Sequence, residues 1–83
     1  MNNEKKSVNV YNLIKPEIEK LIKSGSETAI LDSRILLAHT LCLTRSLYTH
    51  ENINISKKQI SSFQELIAER QNGKPISRII KKR

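Results

Sequence analysis

The sequence is poor in the residues on which many functional sites depend. Its 83 residues include one cysteine, no tryptophan and only two glycines. Cys42 alone cannot form an internal disulfide or a cysteine-based zinc site. His39 and His50 are eleven residues apart, and neither has a cluster of metal ligands nearby in the sequence. These absences argue against a disulfide scaffold, a zinc finger or a histidine-based metal centre.

Glycine is scarce as well, and this bears on cofactor binding. The only glycines are Gly25 and Gly73, and both lie where a helix is expected to end. A nucleotide-type cofactor pocket requires a glycine-rich turn after a buried strand, and the sequence contains no such stretch. No histidine is paired with an acid or with the cysteine in a pattern that indicates a nucleophile. We therefore expect no catalytic, cofactor-binding or metal-binding residue in this chain.

Aromatic residues make up 4% of the sequence, and long apolar runs are missing. Proteins that bind RNA bases usually present several aromatics, so we interpret Tyr48 and Phe63 as core residues. His39 and Cys42 are interpreted as structural residues of a helix, Cys42 as part of the core. No run approaches the roughly 20 apolar residues that span a bilayer, and the polar start MNNEKKS is unlike a secretion signal. We expect a cytoplasmic monomer without membrane contact.

Basic residues outnumber acidic ones, and the excess is concentrated at one end. The formal net charge is +7, from fifteen lysines and arginines against eight acids. Residues 74–83 hold five of the bases and no acid, which leaves ten bases and eight acids in the rest of the chain. A basic protein invites a nucleic-acid interpretation, but this distribution weakens it. The basic end is either a solvated charge run or a surface for a partner.

The densest apolar stretch is residues 27–43, ETAILDSRILLAHTLCL. Its apolar residues recur at spacings of three and four, as on one broad face of a helix. The polar residues, Asp32 and Ser33 among them, are left for the remaining face. We expect a central helix, ending near Leu41 or Cys42, that neighbouring elements cover on more than one side.

Helices are also predicted on both sides of this segment. Residues 8–23 show helical spacing of apolar residues with Pro16 inside it, which indicates one interrupted helix. The sequence SGS at 24–26 is then expected to end this helix and to begin the next one. Residues 44–48 are interpreted as a short third helix, and residues 50–54 as a loop.

The clearest local pattern lies between residues 55 and 73. Ser56 and Gln59 match a capping box, in which each side chain satisfies a backbone donor of the other residue. Gly73 is expected to end this helix, and a further short helix is expected to begin with Pro75. No stretch is identified as having the two-residue period of a strand.

The predicted fold is all-α, a small bundle of about five helices, two of them short. A chain of this length has room for one core and a free energy of unfolding of roughly 4–12 kcal/mol. We expect a flexible N-terminus at residues 1–7, one helical domain at residues 8–80, and a basic end at residues 81–83.

Three stretches, taken in order, resemble a known family. They are LDSRILLAH at 31–39, LTR followed by LY at 43–48, and FQELIAER running into NGKPIS at 63–77. Stretches of the types LDARLLLAH, LTR…LY and ERR…GEPIAHI are typical of the N-terminal helical domain of the release factor glutamine methyltransferases, the HemK/PrmC family. The similarity covers roughly residues 8–80, and the arginine–glycine–proline–isoleucine run is its most specific part.

The resemblance implies a helical domain that helps to dock a peptide chain release factor and precedes a linking hairpin and a Rossmann-like catalytic domain. In the family, that catalytic domain binds S-adenosylmethionine and methylates a glutamine side chain in the GGQ loop of the release factor. An Asn-Pro-Pro-Tyr motif holds the glutamine. Neither this motif nor a glycine-rich cofactor motif occurs here, so no catalytic residue is carried over.

Some positions depart from the family pattern. Ser77 and Arg78 stand where Ala and His or Tyr are usual, and Lys81 stands where a glycine usually turns the chain towards the hairpin. The sequence stops where that hairpin would begin. We therefore expect a fragment, either an excised domain or the product of a truncated gene.

The leading hypothesis is a docking domain that binds the release factor without catalysing methylation itself. Its candidate contact residues are the basic residues Arg70, Lys74 and Arg78. The alternatives are a small basic nucleic-acid-binding module and an inactive remnant of a broken gene. Nucleic acid is the less favoured partner, and binding that falls steeply with salt would support it.

Overall fold

The structure is a computed structural model that describes residues 4–81. Its two strands are β1 at Lys5–Asn9 and β2 at Asn52–Ser56. Its four helices are α1 at Val10–Lys23, α2 at Ala29–Thr40, α3 at Lys57–Gln71 and α4 at Ile76–Ile80. Because α2 packs against each of the other three helices, the prediction of a central helix is confirmed.

The prediction of an all-α fold is wrong, because the two strands pair into an antiparallel sheet. In the register of this sheet, Lys5 lies opposite Ser56 and Val8 lies opposite Ile53. Val8 and Ile53 share one face and pack against the core, so the sheet covers one part of the helical layer. The described residues therefore form a mixed fold of four helices and one two-stranded sheet.

The sequence of β2 explains why this strand is difficult to recognise. It reads NINIS, in which asparagine and isoleucine alternate with the two-residue period of a strand that has one buried face. The alternation places Ile55 in the core and Asn54 in solvent. Five residues give a weak local signal, and a two-stranded sheet is stable only when it packs against other elements. Residues 50–54 are thus partly strand, where a loop was expected.

Two other predicted segments differ in the structure. Residues 5–7, expected to be flexible, are the first part of β1, whereas residues 1–3 lie outside the described range. The short helix expected at 44–48 does not form, and this segment is irregular. Side-chain contacts hold it instead, since Arg34 Nε donates a hydrogen bond to the Leu47 carbonyl.

The helix α1 continues through Pro16 without the predicted interruption. The first residues of α1 form hydrogen bonds with Asn9, directly before the helix, and with Glu51, directly before β2. The Asn9 side-chain oxygen accepts a hydrogen bond from the Asn12 backbone at 3.1 Å, which is a standard N-cap interaction. The Val10 backbone donates to the Glu51 carbonyl at 2.8 Å, so the start of α1 is fixed against the segment before β2.

The predicted capping box of α3 is confirmed. The Ser56 hydroxyl accepts a hydrogen bond from the Gln59 backbone at 3.1 Å, and the Gln59 side chain accepts one from the Ser56 backbone at 3.0 Å. At the other end, Gly73 follows the helix with a φ of +94°, as predicted for a helix-ending glycine. The same Ser56 ends β2, so strand and helix meet without a loop.

The core is aliphatic except for Phe63, which is fully buried as predicted. Four residues expected in the covered central segment or core are exposed instead: Ile30, Leu31, Cys42 and Tyr48. For Ile30 and Leu31 the physical reason is that α2 is apolar on most sides, so its sequence does not define which side is buried. Cys42 and Tyr48 lie beyond the end of α2, in the irregular segment, and not on a packed helix face. Within residues 4–81, no helix has the length and apolar character needed to cross a membrane.

Candidate functional site

Two of the three predicted contact residues, Lys74 and Arg78, line an open groove where α3 and α4 meet. Lys74 lies in the turn between the helices, and Arg78 lies on α4. The Lys74 side chain is 38% exposed, and Arg78 is also exposed. The groove therefore presents two cations to solvent on neighbouring segments.

The turn between α3 and α4 follows from its sequence. Gly73 adopts a left-handed conformation that other residues rarely adopt, and its backbone donates to the Arg70 carbonyl at 3.0 Å. The Lys74 backbone donates to the Glu69 carbonyl at 3.2 Å, which completes a Schellman motif. Pro75 then begins the turn into α4 with its restricted φ of −64°. The backbone that carries Lys74 is consequently well defined.

Lys74 also has an ionic partner within the groove. Its Nζ lies 2.8 Å from Glu69 Oε1, and both side chains remain partly exposed. Exposed pairs of this kind contribute about 0–1 kcal/mol, since water solvates both charges well. A carboxylate of a binding partner can therefore replace Glu69 at little cost in free energy.

The third predicted contact residue, Arg70, does not belong to the groove surface. Its Nε lies 3.0 Å from Asp32 Oδ2, and the Asp32 side chain is only 5% exposed. Its Nη1 donates to the Lys74 carbonyl at 3.4 Å. The structure thus places Arg70 between α2 and the turn, where it can orient the Lys74 backbone.

Asp32 is the centre of a polar network that the sequence did not indicate. Its carboxylate accepts hydrogen bonds from the Ser26 hydroxyl at 3.1 Å and from the Thr28 hydroxyl at 3.0 Å, in addition to the contact with Arg70. The network joins the loop before α2 to the end of α3. One signal was available, because Asp32 lies in the LDSR stretch and Arg70 in the ER stretch that carry the family resemblance.

A second ion pair lies in the segment between α2 and β2. Arg45 binds both carboxylate oxygens of Glu51 at 2.8 Å, and the Tyr48 backbone also donates to Glu51 at 2.8 Å. The hydrogen bonds from Arg45 are the largest cause that lowers the pKa of Glu51 to about 2, followed by the bond from Tyr48. These contacts join the two ends of the segment between α2 and β2.

The groove has the composition of a binding surface. Its cations and the Asn72 amide can donate hydrogen bonds to carboxylates, which are the natural partners of such donors. Among residues 4–81, no group of three or more histidine, cysteine, aspartate or glutamate side chains is placed to hold a metal ion. The lining of the groove thus offers two cations and one amide as hydrogen-bond donors, with Glu69 as the one acid among its described residues.

Comparison with known proteins identifies relatives of this chain. The model of the PrmC N-terminal domain family matches residues 14–80. A release factor glutamine methyltransferase of Vibrio cholerae serotype O1 is 35% identical over 78 residues, which cover 93% of this chain and 27% of that protein. A release factor glutamine methyltransferase of Aliivibrio fischeri is 32% identical over 75 residues, which cover 89% of this chain and 26% of that protein. No solved structure matches the chain.

The chain spans about a quarter of the length of these two curated relatives. The range that the family model matches contains the three helices α2, α3 and α4 and most of α1. It also contains both partners of the ion pair between Asp32 and Arg70, and both cations of the groove. Because the match extends over most of its length, the chain belongs to the PrmC N-terminal domain family.

Proposed function

We propose that this chain is a docking domain for a peptide chain release factor and that it binds this partner through the groove between α3 and α4. The observation that carries the proposal is the family match over residues 14–80. The names of the two relatives support it, since both are release factor glutamine methyltransferases. In this proposal the chain itself binds its partner without binding S-adenosylmethionine or catalysing methyl transfer.

In this proposal, Lys74 and Arg78 contact acidic side chains of the release factor. Both side chains reach solvent, and both line one groove, so a single acidic segment can contact the two together. Charges at the rim of an interface mainly increase the association rate, and salt weakens their effect. Binding through this groove is therefore expected to be faster and tighter at low ionic strength.

Arg70 has a different role in the same proposal. Because it is paired with the buried Asp32 and also donates to the Lys74 carbonyl, it orients the turn and does not contact the partner. Its substitution would act on the position of Lys74 and on the stability of the domain together.

The test is a binding titration of the purified chain with a purified peptide chain release factor at low and moderate salt. The double substitution Lys74→Ala with Arg78→Ala is expected to weaken binding about 3- to 10-fold, which corresponds to roughly 0.3–0.7 kcal/mol for each exposed pair. A matched control is Lys15→Ala with Lys23→Ala, which removes two exposed lysines of α1.

The control variant is expected to bind as the unmodified chain does. An absence of binding at every salt concentration would reject the docking role. An equal loss of affinity in both double variants would show that net charge, and not the groove, determines binding. Thermal denaturation of each variant verifies that it is folded under the conditions of the titration.

A further inference from the structure

Four lysines from distant parts of the sequence meet at one end of the sheet. Lys5 and Lys6 lie on β1, and Lys57 and Lys58 form the first turn of α3. Lys5 is paired in register with Ser56, the residue directly before Lys57, so the ends of the two lysine pairs are neighbours in space, with Lys5 on the solvent face of the sheet and Lys6, opposite Ile55, on the other face. All four side chains are exposed, and we call this group the lysine patch.

The four patch lysines form no ion pair among the described residues, although one acid, Glu4, directly precedes Lys5. Residues 5–9 and 52–62 contain no aspartate or glutamate. The ion pairs of the described residues involve Lys20, Arg45, Arg70 and Lys74, and none of the four patch lysines takes part in one. The acids that flank these ranges most closely are Glu51 and Glu4, and Glu51 is already bound to Arg45.

The stability of α3 does not account for Lys57 and Lys58. The first turn of a helix has a positive electrostatic potential, so negative side chains are favourable there and positive ones are unfavourable. The first turn of α3 contains no acid and both of these lysines. Violations of local helix preferences of this kind are expected mainly at functional or strained sites.

The surface beside the patch carries small polar groups. Ser7 and Asn54 are opposite each other on the solvent face of the sheet, and both are exposed. A serine hydroxyl and an asparagine amide can both donate and accept hydrogen bonds, as can the 2′-hydroxyl of RNA. No large exposed apolar residue lies in residues 5–9 or 52–62. The surface therefore has neither the stacking aromatics of a single-strand binder nor the apolar anchors of a peptide site.

We propose that the lysine patch binds the sugar–phosphate backbone of helical RNA. Lysines contact phosphates without regard to base sequence, and the exposed Ser7 and Asn54 supply groups that can hydrogen-bond 2′-hydroxyls. The sequence alone directs attention to the basic residues of 74–83, whereas the patch exists only because β1 pairs with β2. The patch begins α3 and the groove follows its end, so about 20 Å of helix separates them. RNA binding is thus independent of the proposed release factor contact.

The test measures fluorescence anisotropy of a labelled RNA hairpin titrated with the chain over a series of salt concentrations. The double substitution Lys57→Gln with Lys58→Gln is expected to weaken binding and to reduce the slope of log affinity against log salt by about two, roughly one for each phosphate that is no longer neutralised. Lys15→Gln with Lys23→Gln is the matched control, because it removes the same charge from α1. It is expected to leave the slope nearly unchanged.

Stability provides a second readout that distinguishes weaker binding from a failure to fold. Lys57→Gln with Lys58→Gln is expected to raise the thermal midpoint while it weakens binding, since it removes positive charge from the start of α3. A DNA hairpin of the same sequence and a polyglutamate competitor are run in parallel. The assignment to RNA would be overturned if the DNA hairpin bound as tightly as the RNA hairpin, or if polyglutamate competed as well as RNA does. It would also be overturned if the control variant lost as much affinity as Lys57→Gln with Lys58→Gln.

Discussion

At the scale of single residues, α2 buries two adjacent polar side chains in different ways. The Asp32 carboxylate is satisfied by Ser26, Thr28 and Arg70. The Ser33 hydroxyl is fully buried and has no hydrogen-bond partner among the described residues. An unsatisfied buried hydroxyl lowers stability, because it loses its hydrogen bonds to water and gains none in the protein.

The substitution Ser33→Ala is therefore expected to raise the free energy of unfolding by about 1–2 kcal/mol. The gain combines removal of the unsatisfied hydroxyl with the higher helix propensity of alanine. Urea denaturation followed by circular dichroism measures it. Ser61→Ala on the exposed side of α3 is the control, and it should change stability by only about 0.5 kcal/mol. A destabilised Ser33→Ala variant would contradict the prediction.

The bond between Glu51 and Arg45 predicts a dependence of stability on pH. Because the pKa of Glu51 is lowered to about 2 in the folded chain, this carboxylate stabilises the fold when pH exceeds its unfolded value of about 4.3. The contribution is lost as pH falls towards 2. Thermal midpoints of the chain and of Glu51→Gln are expected to differ at pH 6 and to converge between about pH 4.3 and pH 2. A difference that stays constant over this range would argue against the ion pair.

At the scale of elements, three helices end in the same hydrogen-bond pattern. After α1 and α3, the left-handed position is occupied by Gly25 and Gly73. After α2 it is occupied by Cys42, whose φ is +60°. The Cys42 backbone donates to the His39 carbonyl at 3.0 Å, and the following residue donates to the Ala38 carbonyl at 2.9 Å. The motif is complete, but a residue with a side chain holds the position that favours glycine.

The substitution Cys42→Gly is expected to stabilise the fold by about 0.5–1 kcal/mol. A left-handed residue with a β-carbon is strained by roughly 1–2 kcal/mol, and the greater flexibility of unfolded glycine offsets part of the gain. Chemical denaturation of the reduced chain measures the effect. Cys42→Ala keeps the β-carbon and should show no such gain. Equal stabilities of the glycine and alanine variants would show that the backbone strain is negligible.

The sequence contains enough information to predict the helices and most of their ends. Ser56 with Gln59 and the two glycines act within a few residues, so their effect on the chain can be deduced locally. The spacing of apolar residues likewise identifies α1, α2 and α3, since each completes at least three turns. The family resemblance is also carried by these helical segments.

The remaining features depend on contacts between distant residues. The strand β2 has a clear alternation, but it becomes a strand because β1 lies beside it. Asp32 can be buried although it is charged, because it pairs with Arg70, which lies 38 positions later in the sequence. The groove cations Lys74 and Arg78 could be selected from the sequence, whereas the separation of Arg70 from that surface could not. Charge alone does not distinguish a structural arginine from an exposed one.

At the scale of the whole molecule, one small core supports every element. The buried apolar residues come from all four helices, from β2 and from Leu47 in the irregular segment. Phe63 is the only phenylalanine and is completely buried. Tyr48, the other aromatic expected in the core, is 57% exposed and stacks on His50. The two aromatics therefore provide a matched test of how far stability depends on the core.

Phe63→Ala is expected to lower the free energy of unfolding by about 3–5 kcal/mol, through the loss of apolar burial and the cavity left behind. For a domain of this size the thermal midpoint should fall by at least about 12 °C. Tyr48→Ala should lower the midpoint by much less, because its ring contributes little to the core. Melting curves followed by far-ultraviolet circular dichroism compare the two. Similar losses of stability in both variants would show that Tyr48 is a structural residue.

The register of the sheet also has a consequence for the order of folding. Its paired residues are separated by 43 to 51 positions along the chain, so β1 and β2 can meet only after a long loop has closed. The contacts between α1 and α2 join neighbouring segments and need no such closure. We therefore expect the helices to pack together in the folding transition state and the two strands to pair after it. Substitutions at Val8 should then accelerate unfolding and leave the refolding rate nearly unchanged.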